Sequence, residues 1–69
     1  MVEVFKTDVQ LPEQAVVLAG KLSAKFPRIK INFDLEDCDR VLRVEGEEFV
    51  PNKIIEMVAS NGYYCQVME

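Results

Sequence analysis

The sequence predicts an α+β fold in which two helices cover one face of a four-stranded antiparallel sheet. Three observations carry this prediction. Two segments that follow prolines have apolar residues at the three- and four-residue spacing of a helix. A segment between them alternates strictly between apolar and polar residues, which is typical of a strand with one buried face. Further short apolar segments complete the order β-α-β-β-α-β.

The first strand and the first helix occupy the N-terminal part of the chain. Val2–Lys6 is rich in β-forming residues, and we expect Val2 and Val4 to face the core. Pro12 suits the first turn of the helix, and Pro27 ends it. The buried stripe of this helix is predicted to contain Ala15, Leu18, Ala19, Leu22 and Phe26.

A hairpin is predicted in the middle of the chain. Ile29–Asp34 alternates between apolar and polar residues and is the clearest strand. Leu35–Asp39 is a polar turn, and Arg40–Glu45 is the next strand. Because the connection is short, the two strands are expected to pair as antiparallel neighbours.

The second helix and the last strand complete the fold. The helix begins at Pro51 and ends at Asn61-Gly62, because glycine readily adopts the left-handed conformation after a helix. Tyr63–Val67 is the last short strand. The order is that of the ferredoxin-like fold, with sheet order 4-1-3-2 and both helices on one face. The buried stripe of the second helix is predicted to contain Ile54, Ile55, Met57 and Val58.

Composition and charge argue against several classes of function. The chain forms one domain, residues 1–69, and 49% of its residues are hydrophobic, which favours a folded chain. The net charge of −4 argues against nucleic-acid binding, including that of an RNA-recognition module with the same strand order. No apolar run approaches the roughly 20 residues of a membrane span. Met1–Lys6 has no basic leader before an apolar stretch, so we expect a cytoplasmic location.

The residue types that carry most enzyme chemistry are missing. The chain has no histidine, the commonest general base and a common metal ligand. We also find no convincing nucleophile and no acid–base pair. The sequence therefore predicts a protein that is not an enzyme and has no cofactor.

Apolar and turn residues recur along nearly the whole chain at the spacing of a known domain family. They are Ala15, Leu18, Leu22, Phe26-Pro27-Arg28-Ile29, Ile31, Phe33, Val44-Glu45-Gly46, Ile54-Ile55 and Gly62-Tyr63. By this spacing the chain resembles the heavy-metal-associated (HMA) domain, the fold of small copper chaperones and of the N-terminal modules of metal-pumping ATPases. The resemblance implies a ferredoxin-like fold with its metal loop between the first strand and the first helix.

The family's metal motif in that loop is Met-x-Cys-x-x-Cys, whose two thiolates grip monovalent copper. By position the motif falls on residues 9–14, with Leu11 and Gln14 where the cysteines would be. Leucine has no donor atom, and the glutamine amide is a hard, neutral donor that replaces a thiolate poorly. The resemblance therefore implies an HMA-like domain that has lost its soft-metal site.

Two cysteines remain, and they fall on opposite edges of the predicted sheet, too far apart for a disulfide. Cys38 lies among acidic residues, which lower thiol reactivity, and we expect an unreactive surface thiol. Cys65 is predicted to be a small buried residue on the helix-covered face. An alternative function is that of a copper carrier in which Cys38 or Cys65 from two copies meet across a dimer.

We predict a protein-interaction module whose partner is a protein. The fold places the loop before the first helix, the polar turn of the hairpin and the corner before the last strand at one end of the molecule, which we call the loop end. A partner that docks on this acidic end is expected to be basic. A solvated hairpin tip and a hard-cation site are the alternatives for the acidic turn. Tyr63 is expected to cover Val9 and Leu11 in an apolar cap. The candidate partner-binding residues are Asp8, Val9, Gln10, Leu11, Glu13, Gln14, Glu36, Asp37 and Tyr63.

A second interaction surface is predicted on the open face of the sheet. Phe5, Val41 and Tyr64 fall on three neighbouring strands and would form the face of a weak homodimer. The alternative is a few scattered surface apolar residues, which are normal on any protein.

Overall fold

The computed structural model describes residues 1–68 and has four strands and two helices. The elements are β1 (Val2–Thr7), α1 (Pro12–Lys25), β2 (Ile29–Asp34), β3 (Val41–Gly46), α2 (Pro51–Ser60) and β4 (Cys65–Val67). All strand pairs are antiparallel, in the order β2-β3-β1-β4. The predicted α+β class is confirmed, and the arrangement is compatible with a ferredoxin-like fold. Across these residues, neither helix has the length and apolar content needed to cross a membrane.

The core lies between one face of the sheet and the two helices. The predicted stripe of α1 is buried at Ala15, Leu18 and Leu22, because residues at this spacing share one side of a helix. α2 contributes Ile54 and Val58 from the same kind of stripe. The strand residues that meet these helices are Phe5, Leu42, Val44 and Cys65.

The first strand faces the opposite way from the prediction. Phe5 stands opposite Leu42 in the β1–β3 register, and both side chains are fully buried. Alternate strand residues point to opposite sides, so Val2 and Val4 lie on the open face, and Val2 is 52% exposed. The prediction that Val2 and Val4 face the core is therefore wrong. The phenyl ring buries more apolar surface than a valine can, which favours the observed orientation.

Two strands begin later than predicted, each for a visible reason. Arg40 has a φ of 49°, which is incompatible with a strand, so β3 begins at Val41. The N–H of Tyr64 donates to the side chain of Asp8 rather than to a strand carbonyl, and β4 begins at Cys65. Gly62 has a φ of 91° after the end of α2, in the role predicted for it.

Candidate functional site

The β1–α1 loop, residues 8–11, is held by a side chain of the helix that follows it. Leu11 is the N-cap residue of α1. Gln14 Oε1 accepts hydrogen bonds from the N–H groups of Leu11 at 3.1 Å and Gln10 at 3.2 Å. This is the glutamine half of a capping box, which satisfies backbone donors at a helix start. Gln14 therefore has a structural role at the start of α1.

Thr7 and Asp8 connect the loop to its neighbouring elements. The Thr7 hydroxyl donates to the carbonyl oxygen of Arg40 at 2.6 Å and accepts the N–H of Val9 at 3.3 Å. Asp8 Oδ1 accepts the N–H of Tyr64 at 2.7 Å. These bonds occupy polar groups that a ligand-binding loop would offer to its ligand. The loop is therefore held in one conformation by its own hydrogen bonds.

Arg40 joins this loop to the β2–β3 turn. Its Nη1 donates to the carbonyl oxygen of Leu35 at 2.9 Å and to that of Gln10 at 3.4 Å. Its own N–H donates to the carbonyl oxygen of Asp37 at 3.0 Å. Arg40 was predicted to begin a strand, and its role between the two loops was not predicted. The available signal was that Arg40 is the only basic residue between Lys30 and Arg43, directly after an acidic turn.

The exposed groups at this end of the molecule include several carboxylates and the apolar side chain of Leu11. Leu11 is 48% exposed, so the predicted apolar cap over Val9 and Leu11 is wrong for Leu11. Val9 is fully buried in the core, so its assignment to the partner-binding surface is wrong. Tyr63 is half-buried and packs against the core. The candidates that reach the surface are Asp8, Gln10, Leu11, Glu13, Gln14, Glu36 and Asp37.

The β2–β3 turn brings a thiol and two carboxylates together. One ligand atom each from Asp37, Cys38 and Asp39 lies within 4.8 Å of the other two. Asp37 Oδ1 already accepts the N–H of Asp39 at 2.9 Å, and Lys6 Nζ lies 4.0 Å from Asp39 Oδ1. The set combines one soft donor with two hard ones, and it differs from the dithiolate that monovalent copper prefers.

The two cysteines are free and lie in different environments. Cys38 is exposed in the turn, as predicted. Cys65 is buried on the helix-covered face, also as predicted, and stands opposite Thr7 in the sheet. Burial raises the pKa of the Cys65 thiol from 9.0 to about 12, because the thiolate loses its hydration. The Cys65 thiol is therefore protonated at neutral pH, and its burial disfavours a bridge to a second copy of the chain.

The open face of the sheet lacks one of the three residues predicted for a dimer face. Phe5 is fully buried between the sheet and the helices, which removes it from the open face. Tyr64 is 48% exposed and Val41 is half-buried. Without the phenyl ring between them, these two side chains match the alternative of scattered surface residues.

No protein-family model, curated protein or solved structure matches this chain.

Proposed function

We propose that this chain is a non-enzymatic protein-interaction module of ferredoxin-like βαββαβ topology, similar to an HMA domain without a soft-metal site. Its partner is a basic protein surface that docks on the loop end. The observation that supports this proposal best is Leu11, an exposed leucine at the start of α1 in a part of the molecule rich in carboxylates. Apolar anchors surrounded by charge are common at protein interfaces.

The electrostatics of the loop end favour a basic partner. Few cations offset its acidic side chains, and those few are engaged. Lys6 lies within ion-pair distance of Asp39, and the Arg40 guanidinium is bonded to two backbone carbonyls. Complementary charge of this kind raises association rates and rejects acidic partners. The carboxylates of this end are Asp8, Glu13, Asp34, Glu36, Asp37 and Asp39.

The loss of the metal site is supported by the same loop. Gln14 Oε1 accepts hydrogen bonds from two backbone N–H groups, and the Leu11 side chain has no atom that could bind a metal. The loop lies between the first strand and the first helix, where HMA domains dock and transfer metal. Its side chains are suited to contact with a protein and not to binding a soft metal.

A matched pair of charge variants tests the docking surface. Glu13→Lys/Glu36→Lys changes the loop end, and Glu47→Lys/Glu48→Lys makes the same change in the β3–α2 connector at the other end. Each double variant brings the net charge from −4 to 0. All four residues are exposed, so folding should be retained.

We expect proteins cross-linked to the wild-type chain in its source cells to be lost with Glu13→Lys/Glu36→Lys and kept with the connector variant. Binding of each such protein should also weaken as salt is raised, because exposed charges are screened. If the two double variants capture the same proteins as the wild type, the loop end is not the docking surface.

A copper-binding function through Cys38 is the second candidate. It is favoured by the exposure of this thiol and by the two carboxylates beside it. Anaerobic titration of the reduced protein with monovalent copper, against a competing chelator, tests it. One metal per two chains that disappears in Cys38→Ser would support an intersubunit site. No competition with the chelator would eliminate this candidate.

A further inference from the structure

Strand β2 forms an edge of the sheet, and no other strand within residues 1–68 pairs with its outer side. It pairs with β3 alone, over six residues without proline or glycine. The other edge, β4, has three residues. Long, regular edge strands are templates for pairing, and proteins usually shorten, charge or cover them.

The unpaired backbone groups of β2 can be identified from the register. The N–H of Gly46 donates to the carbonyl oxygen of Met1 at 2.9 Å, so the even-numbered residues of β3 bond towards β1. The odd-numbered residues of β3 therefore bond towards β2, where they face Lys30, Asn32 and Asp34. The N–H and C=O groups of Ile31 and Phe33 then point to the free edge.

Apolar surface beside this edge is incompletely covered. The inward residues Ile31 and Phe33 are only half-buried, whereas Leu42 and Val44 on the adjacent strand are fully buried. A groove of about 470 Å³ runs between β2 and α1, and Val16 on its helix side is 72% exposed. The groove is lined by Pro12, Ala15, Val16, Ala19, Ile31 and Phe33, among others.

We propose that a second copy of the chain covers this edge, by antiparallel pairing of the two β2 strands about Asn32. In this register Lys30 stands opposite the partner's Asp34, and Asp34 stands opposite the partner's Lys30. Ile31 stands opposite the partner's Phe33, which brings the free backbone groups of both residues into hydrogen-bonding position. The product is a continuous eight-stranded sheet with two-fold symmetry, since such an interface is self-complementary.

The sequence of the strand selects the register. Ile29–Leu35 reads Ile-Lys-Ile-Asn-Phe-Asp-Leu, in which apolar residues and opposite charges are placed symmetrically about Asn32. A shift by two residues pairs Lys30 with Asn32 in one direction and Asp34 with Asn32 in the other, and the remaining charge then faces Arg28 or Glu36, which lie outside β2. Opposite charges directly across a strand pair are favourable, so the Asn32-centred register is preferred.

The helix beside the edge contributes to the same interface. Two copies joined at β2 bring their α1 helices to either side of the two-fold axis, on the helix-covered face. Val16 lines the groove at this edge, whereas Val17 lines a different hollow, next to Tyr63 and α2. Val16 is thus covered by the second copy, and Val17, which is 57% exposed, stays exposed.

Cysteine cross-linking tests the register directly. Asn32 faces the partner's Asn32 as a non-hydrogen-bonded pair, with Cα atoms roughly 4.5 Å apart, within disulfide range. In a Cys38→Ser background, Asn32→Cys should give a disulfide-linked dimer on mild oxidation. Lys30→Cys in the same background is the control, because residue 30 faces residue 34 of the partner. Equal yields from the two variants would overturn the register.

Sedimentation velocity tests the interface at equilibrium. We expect the wild-type chain to show a dimer fraction that grows with concentration. Val16→Glu should raise the dimer dissociation constant about tenfold or more, whereas Val17→Glu should leave it nearly unchanged.

Charge reversal at Lys30 alone should also weaken the dimer, and Lys30→Asp/Asp34→Lys should restore it. A wild-type chain that stays monomeric at millimolar concentration, or a Val17 variant as weak as the Val16 variant, would overturn the proposal.

Discussion

Asp8 Oδ1 accepts the backbone N–H of Tyr64 at 2.7 Å, across 56 positions of the chain. The β1–β4 register pairs Lys6 with Gln66, so Asp8 and Tyr64 are the next residues to meet at that spacing. The carboxylate takes the place of a strand carbonyl and continues the ladder by one bond. The β1–α1 loop is thereby fixed to the corner between α2 and β4.

Removal of this bond should loosen the corner. Asp8→Ala is expected to lower the free energy of unfolding by about 1 kcal/mol, because the Tyr64 N–H loses its acceptor. Asp8→Asn keeps an acceptor oxygen and should lose less. Chemical denaturation of the three proteins measures this, with Glu47→Ala as an exposed acidic control. An Asp8→Ala protein as stable as the control would contradict the role of the bond.

Two glycine-to-alanine substitutions should act in opposite directions. An added Cβ meets no atom within 4 Å at either Gly20 or Gly62, so steric contact decides neither case. Gly20 lies within α1, and alanine there should stabilise the protein by up to about 1 kcal/mol. Gly62 has a φ of 91°, and alanine there should destabilise it by about 1 kcal/mol or more. Thermal and urea unfolding would show the two signs, and equal signs would contradict this account.

Cys65 should give the fold an alkaline limit. Burial raises the pKa of its thiol from the ordinary 9.0 to about 12, because burial disfavours the thiolate. The protonated thiol therefore contributes stability that is present in full below about pH 9 and is lost as the pH rises towards 12.

We test this limit with Cys65→Val in a Cys38→Ser background. Near pH 11 the parent should have lost about 2–3 kcal/mol more of its unfolding free energy than the valine variant, since one pKa unit corresponds to about 1.4 kcal/mol. Other groups titrate equally in both proteins and cancel in the difference. Parallel pH profiles would contradict the prediction.

Phe5 should be essential to the fold and its neighbour Val4 should not. Phe5→Ala is expected to cost about 3–5 kcal/mol, because the ring is fully buried. A domain of this size has about 3–5 kcal/mol of stability in all, so the variant should be largely unfolded. Val4→Ala, on the open face, should remain folded with a cooperative transition. Circular dichroism distinguishes the two variants. If Val4→Ala were unfolded and Phe5→Ala folded, Val4 rather than Phe5 would face the core.

Introducing two cysteines into the loop would test the resemblance to HMA domains. Leu11 and Gln14 are the N-cap residue and the third residue of α1, and the Gln14 side chain reaches the Leu11 backbone. We expect Leu11→Cys/Gln14→Cys to bind one monovalent copper per chain, because two thiolates three residues apart share one side of the first turn. Leu11→Cys/Glu13→Cys is the control with divergent side chains. If neither variant competes with a chelator for copper, the loop lacks the family geometry.

Much of the fold could be predicted because its signals are local. Pro12 and Pro51 begin the two helices, and alternation identifies β2, each by a rule that operates over a few residues. The facing of β1 could not be predicted in this way. Val4 and Phe5 are adjacent apolar residues, and only packing against Leu42 on another strand decides which of them is buried.

The position of the candidate site could be predicted from the sequence, but which of its side chains are buried, exposed or hydrogen-bonded could not. The carboxylates at the loop end follow from topology. The burial of Val9, the exposure of Leu11 and the reach of Arg40 depend on contacts between residues far apart in the chain, such as Arg40 and Gln10, which are 30 positions apart. The acidic turn before Arg40 indicated a contact for its charge, but no local pattern indicated its positive φ or its bonds to the carbonyl oxygens of Leu35 and Gln10.

Arg40 also determines how a partner would meet this surface. By bonding to carbonyls of both loops, it makes the loop end one preordered unit. Fixing a mobile backbone residue on binding costs roughly 1–2 kcal/mol, and here that entropy is already lost on folding. Association would then depend on long-range attraction between charges, and residence time on how well a partner fills the space around Leu11.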